Sequence, residues 1–187
     1  VYQLATWSFD SGAGLDDKLI VHTTQGEVAV YTGNDPAQAI SWQLDAVFFV
    51  SAPIGTKANS ELGGDELLLT RTGVVPVSAM VKGEINTAIV DATMSKRISR
   101  TLNRIVNSQY YTPDWEIHNI PTLQATVVIV PASNDAEAAQ FVMNNLTGAW
   151  TRFDLPARSG GIYKGLFHFG TDDGRVMIFG NVERCRE

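Results

Sequence analysis

Four stretches of this chain share one pattern, and a recurring pattern constrains the fold more than any single element. From Gln140 the sequence reads QFVMNNLTGAWTRF: an alternating apolar run, a Thr-Gly turn and a second alternating run. Alternate side chains of a strand share one face, so such a run on either side of a glycine-containing turn predicts a β-hairpin. The same form returns as KLIVHTTQGEVAVYTG from Lys18, ELLLTRTGVVPVS from Glu66 and GLFHFGTDDGRVMIFG from Gly165. Aligned on Gly26, Gly73, Gly148 and Gly174, the copies place Thr23, Thr70, Asn145 and Thr171 three residues before the glycine. Glycine suits that place because a tight turn often needs positive φ, which costs more for a residue bearing Cβ.

The spacing of the four glycines then selects among repeat architectures. Gly26 and Gly73 stand 47 residues apart, close to the roughly 40 to 50 residues of a four-stranded propeller blade. The following intervals, 75 and 26 residues, do not fit a rigid array. The expected fold is mainly β: an irregular propeller-like array of antiparallel hairpins with one inserted amphipathic helix. A β-sandwich is the competing arrangement. Residues 1–187 are expected to form a single propeller-like domain, or part of a larger one, with the helical insertion at about 91–109. The chain opens on Val1, so a fragment or processed product is expected.

A chain of 187 residues with 44% hydrophobic composition can bury a substantial core. No apolar run approaches the roughly 20 residues of a membrane span and no charged-then-apolar leader opens the chain, so a soluble protein without a membrane span is expected. The single cysteine, Cys185, excludes an intrachain disulfide and a thiolate metal cluster.

The net charge of −6 is unevenly spread, because Ala92 to Pro113 holds four basic residues and no acidic one. Within it, DATMSKRISRTLNRIVNSQ (Asp91 to Gln109) breaks the β rhythm. Met94, Ile98, Leu102 and Ile105 recur at helical spacing, while Lys96, Arg100 and Arg104 step by four along another face with Arg97 beside them. Asp91 or Thr93 can cap the start, and Pro113 stands beyond the end. The stripe Lys96, Arg97, Arg100 and Arg104 is the candidate partner- or DNA-facing site, set against the plainer reading of a solvated basic face. No aromatic residue interrupts it to stack on bases, although Tyr110 and Tyr111 follow, so only non-specific DNA contact is expected.

Catalytic constellations are not expected. His22, His118 and His168 lie far apart in the chain, with His22 and His168 inside predicted strands, and no HExxH, G-x-S-x-G or Walker loop is present. Asp10, Asp16 and Asp17 bracket two glycines without the ligand alternation of a calcium loop, and are expected to form a connecting turn. The turn Thr171 to Gly174 resembles the Asp-containing turns of some propeller enzymes, yet Asp-x-Gly is common hairpin chemistry. Trp7, Trp42, Trp115 and Trp150 lie in or beside apolar strand patterns, where core packing is expected. No catalytic residue, metal or cofactor is assigned.

Read as whole phrases, several segments resemble bacteriophage tail β-propeller proteins of the tail hub, nozzle or packaged-DNA stabilisation type in short-tailed phages. The carrying phrases are DDKLIVHTTQGEVAVYTGNDPAQAISWQL (Asp16 to Leu44), GGDELLLTRTGVVPVS (Gly63 to Ser78), SKRISRTLNRIV (Ser95 to Val106) and AQFVMNNLTGAWTRF (Ala139 to Phe153). The resemblance implies a structural, non-enzymatic virion component of the tail or head-to-tail region. Such a component contributes to tail assembly, genome retention and the DNA ejection channel. It implies as partners copies of the chain in a ring and other tail or head-to-tail proteins, with the virion tail as location after assembly in the bacterial cytoplasm. The alternative is a bacterial propeller ligand-binding module or glycosidase-like enzyme, with Asp172, Asp173 and the tryptophans facing a central pocket.

Overall fold

A computed structural model of the chain describes residues 1–10, 15–81, 93–132 and 138–179. Over these residues the protein is mainly β, with four antiparallel sheets. Contacts divide the chain into two compact units, one of Val1–Ile54 with Ala58–Tyr110 and the other of Gly55–Lys57 with Tyr111–Glu187.

The first unit opens with β1 (Gln3–Asp10), β2 (Leu15–His22), β3 (Glu27–Gly33) and β4 (Trp42–Phe49), paired in chain order. A second sheet follows in β5 (Asn59–Leu62), β6 (Asp65–Thr70) and β7 (Gly73–Pro76). A short helix α1 (Val77–Val81), a 3-10 turn (Lys96–Ile98) and helix α2 (Ser99–Gln109) complete the described part. The second unit repeats the plan. It has a four-stranded meander of β8 (Glu116–Ile120), β9 (Ala125–Val130), β10 (Ala139–Asn144) and β11 (Trp150–Phe153). A three-stranded meander follows in β12 (Ser159–Tyr163), β13 (Leu166–Gly170) and β14 (Val176–Phe179).

Each sheet contains one of the four aligned hairpins. Gly26 lies between β2 and β3, Gly73 opens β7 after β6, Gly148 lies between β10 and β11, and Gly174 between β13 and β14. All four have positive φ, from 64° to 133°, which is the conformational demand that places glycine there. The first and last turns are built alike. Gly26 and Gly174 amides donate to the carbonyls of Thr23 and Thr171 at 3.2 and 3.1 Å, while those threonine amides donate to Glu27 and Arg175. This is the pattern of a tight turn closed by a glycine bulge.

The Gly148 copy corrects the alignment by one residue. The Gly148 amide donates to Asn144, and the Asn144 Oδ1 accepts from the amides of Leu146 and Thr147, both at 3.0 Å. Asn145, which the repeat places opposite the threonines, is engaged elsewhere: its side chain accepts from Thr126 at 2.8 Å and donates to Asn119 at 2.9 Å. The loop is one residue longer, so the equivalent polar residue moves one place upstream.

Alternating burial also holds unevenly. It is clear in β3, where Val28 and Val30 are buried, and in β13, where Phe167 and Phe169 are. In β6, β9 and β10 five residues in a row are buried, because these strands are covered on both faces. Leu67, Leu68 and Leu69 are fully buried, and each such side chain contributes about 1.5 to 3 kcal/mol relative to exposure. The second unit closes around Ile120, Val127, Ile129, Val142, Phe167 and Phe169.

The helix begins later than its sequence pattern implies. Asp91 and Ala92 lie outside the described residues; among the described residues of this span Lys96–Ile98 is a 3-10 turn and only Ser99–Gln109 is α-helical. Thr93 does not cap α2. The Lys96 amide bonds its carbonyl at 3.2 Å instead, and no side chain caps the helix start. Its buried residues are Leu102 and Val106, while Met94, Ile98 and Ile105 are half-buried. The contact line therefore runs through Leu102 and Val106 rather than Leu102 and Ile105, since a four-residue step holds one helix face against β7.

Candidate functional surface

Lys96, Arg97, Arg100 and Arg104 are all exposed. The buried pair Leu102 and Val106 anchors α2 and leaves Arg100 and Arg104 on the outer side of the helix. Arg97, Arg100 and Arg104 make no ion pair among the described residues. Their placement runs against local helix stability. The first turn of α2 holds no acidic residue and no side-chain cap, and Arg97 and Arg100 sit at or just before it, where the macrodipole already presents positive charge, while Arg104 lies one turn further on. An anion at this end is favoured by both the dipole and the side chains of Lys96, Arg97 and Arg100. Tyr110 is covered by a guanidinium, with Arg71 Cζ 4.1 Å from its ring centroid.

Two outer strands add apolar surface. β14 is the edge of its sheet, and Val176, Met177 and Ile178 are all exposed. It contains no charge or proline, two of the usual devices that protect a sheet edge, and its four-residue length is what limits pairing there. On β4, also an edge, Leu44, Val47 and Phe49 are exposed. This strand carries a bulge at Asp45, because Ala46 pairs with Val30 and Leu44 with Tyr31. Asp45 pairs with Lys18 and accepts from Thr32.

The second unit holds a polar network that the spacing of the histidines did not reveal. Glu116 is buried, and its Oε2 lies 2.8 Å from His118 Nε2 and accepts from the Gly160 amide at 2.7 Å. Its Oε1 pairs with Lys57 Nζ at 3.2 Å, and Lys57 also donates to the Gly160 carbonyl at 2.8 Å. Burial pushes the Glu116 carboxyl up, but the hydrogen bonds from His118 and Gly160 and the charges of His118 and Lys57 outweigh it and hold it below its ordinary value. Gly160 must be small, since a Cβ there would fall 2.5 Å from the Phe167 ring. The network joins Lys57, β8 and β12. The Glu-x-His spacing of β8 is the one signal available beforehand, because it puts both side chains on one strand face.

The other candidates are dispersed. Asp172 pairs with Arg158 at 2.8 Å. Asp173 is held by Arg175 and Thr171, whose hydrogen bonds keep its carboxyl well below the usual range. Both carboxylates are thus engaged in their own turn and strand ends. Asp17 accepts from Ser8 at 2.6 Å; the side chains of Asp10 and Asp16 lie outside the described residues. No group of three metal-ligating side chains occurs among the described residues. His168 Nδ1 lies 3.0 Å from the Leu166 carbonyl. His22 is buried with no hydrogen-bond partner for either ring nitrogen among the described residues, and burial lowers its pKa to about 4. Trp7 and Trp115 are core residues, whereas Trp42 and Trp150 are half-buried, Trp42 stacking on Tyr31 at 5.8 Å. No helix among the described residues is long and apolar enough to cross a membrane. No protein-family model and no curated protein matches this sequence.

Proposed function

We propose that this chain is a structural, non-enzymatic component of a bacteriophage tail or head-to-tail region, working through contacts with copies of itself, with neighbouring virion proteins and with the packaged genome. The observation that carries this reading is the cationic start of α2. Three exposed cations, Lys96, Arg97 and Arg100, stand at or just before a helix start that lacks a cap and an acid, and Arg104 continues the stripe one turn on, an arrangement that is unfavourable alone and favourable against a polyanion or an acidic subunit. The three exposed apolar side chains of the short edge strand β14 support a role in assembly, since they offer apolar surface to a neighbour. The four meanders, each with one copy of the repeated hairpin, support a propeller-like array.

The test is the double substitution Arg100→Glu with Arg104→Glu. Self-association and binding to duplex DNA are measured for both proteins at about 50 mM and about 200 mM salt, a range over which counterion release changes affinity steeply. The double variant is expected to stay folded and to lose at least about tenfold in affinity at the lower salt, with a smaller loss at the higher. Unchanged assembly and DNA binding at low salt would reduce the stripe to a solvated face.

A further inference from the structure

In the first unit a cleft of about 440 Å³ opens against β1, β2 and β5, with Glu66 of β6 also in its lining. One wall presents Leu4 and Leu19 with Thr6 on the same sheet face, because Thr6 pairs with Leu19 and Leu4 lies two residues before it, whereas Ala5 belongs to the opposite face with Ile20. The other carries two carboxylates, because Glu61 and Glu66 are paired directly opposite in the β5–β6 hairpin. Residues opposed in this way hold their Cβ atoms about 4.5 to 5.5 Å apart, and like charges there repel. Glu66 is 3% exposed and its Oε1 has no hydrogen-bond partner among the described residues. The Asn59 side chain hydrogen-bonds the Glu66 carboxyl. Asp65 offers no relief, being occupied by the Ser78 amide at 3.0 Å and the Ser78 hydroxyl at 2.5 Å.

We propose that this cleft binds a primary alkylammonium group, with the ammonium between Glu61 and Glu66 and the hydrocarbon chain along Leu4 and Leu19. An ammonium brings three donors and one positive charge, which match an unpartnered carboxylate oxygen and a repelling carboxylate pair. A hard divalent cation fits less well, because it calls for six or more oxygens and here meets Leu4 and Leu19 on one side. Asn59 also turns its donor, not its oxygen, to Glu66. This site is independent of the cationic helix and of the assembly role. Glu66 is raised to about 7 by burial first, and then by the charges of Glu61 and Asp65, so binding strengthens as Glu66 ionises. The β1 and β2 residues of the lining carry no charge.

A free amine and a lysine side chain present the same group, and two probes separate them. The intact protein is titrated with n-butylamine and with Nα-acetyl-lysine amide near pH 8, following melting temperature and binding heat, with n-butanol and matched sodium chloride as controls. A saturable rise in melting temperature is expected with an amine and not with n-butanol. It should weaken at least about tenfold in Glu66→Gln and also in the exposed-site variant Glu61→Gln, which keeps the test open if the buried change perturbs folding. Binding of both probes assigns the cleft to a lysine side chain, and binding of n-butylamine alone assigns it to free amines. Equal effects of n-butanol, affinity unchanged in both variants, or stabilisation by calcium without any by amines would overturn the proposal.

Discussion

The Ser95 hydroxyl accepts a hydrogen bond from the Val74 amide at 3.1 Å, so the lead-in to the basic helix is stitched to the first residues of β7. Both residues are fully buried. The same contact explains Gly73: its φ is 133°, and a Cβ there would lie 2.2 Å from Ser95 Oγ. Ser95→Ala leaves the Val74 N–H unsatisfied and should cost about 1 to 3 kcal/mol in urea unfolding. Gly73→Ala adds a clash and an unfavourable φ, so it should cost more than Ser95→Ala. If Gly73→Ala unfolds at the wild-type urea midpoint, this packing is not what holds the helix in place.

What was legible beforehand follows from this kind of constraint. The four hairpins could be read because a turn with positive φ selects glycine through local sterics. β5 and β12 could not, since NSEL and SGGIY lack an apolar alternation and are defined by the partners they meet, Asn59 with Leu68 and Ser159 with Gly170. The cationic residues of α2 were visible as a periodic stripe, whereas its start was not, because Ser95 is engaged by β7 rather than by the helix. Glu116 and His118 shared a strand face in the sequence, but Lys57 and Gly160 reach them from far along the chain. Only tertiary pairing brings such groups together.

His22 and Glu66 should give opposite pH dependences that mask each other. Burial lowers His22 from 6.5 to about 4, so the unfolded chain binds the extra proton and stability is lost as pH falls through this window. Burial raises Glu66 from 4.5 to about 7, so the folded chain keeps the proton and stability is lost as pH rises. Each shift corresponds to roughly 3 kcal/mol at its limit. Between about pH 4.5 and 6.5 the wild type should therefore show a shallow profile. Glu66→Gln should gain stability with rising pH, and His22→Leu should lose it. Chemical unfolding at several pH values reads the slopes, and parallel profiles for all three proteins would contradict this assignment.

Glu116 should matter more to folding than its lysine partner. Glu116→Ala removes the acceptor of the Gly160 amide and the partner of His118 and Lys57, leaving buried polar groups unpaired, and should cost about 3 to 5 kcal/mol. Lys57→Ala removes a half-exposed cation and should cost about 1 kcal/mol or less. Because the Glu116 carboxyl is held below its ordinary value of 4.5, its contribution is complete above that pH and fades as pH falls through the folded value. The difference between wild type and Glu116→Gln should therefore narrow in acid, measured by urea unfolding at descending pH.

Lys164 occupies a conformation better suited to another residue. It forms with Gly165 the two-residue loop between β12 and β13, with Tyr163 paired to Leu166, and the loop residues have φ of 51° and 75°. Two successive positive values are the demand that favours Asn-Gly in such hairpins. A non-glycine residue in the left-handed region costs about 1 to 2 kcal/mol, less for asparagine, whose side chain bonds locally. Lys164 recovers part of this through its ammonium, 5.3 Å from the Tyr163 ring centroid, an exposed contact worth about 0.5 kcal/mol. Lys164→Asn should therefore raise stability by about 0.5 kcal/mol, while the β-branched Lys164→Val should lower it by at least about 1 kcal/mol. Urea midpoints for the three proteins should fall in the order Asn, Lys, Val, and a valine variant as stable as the wild type would show that the turn relaxes out of the left-handed region.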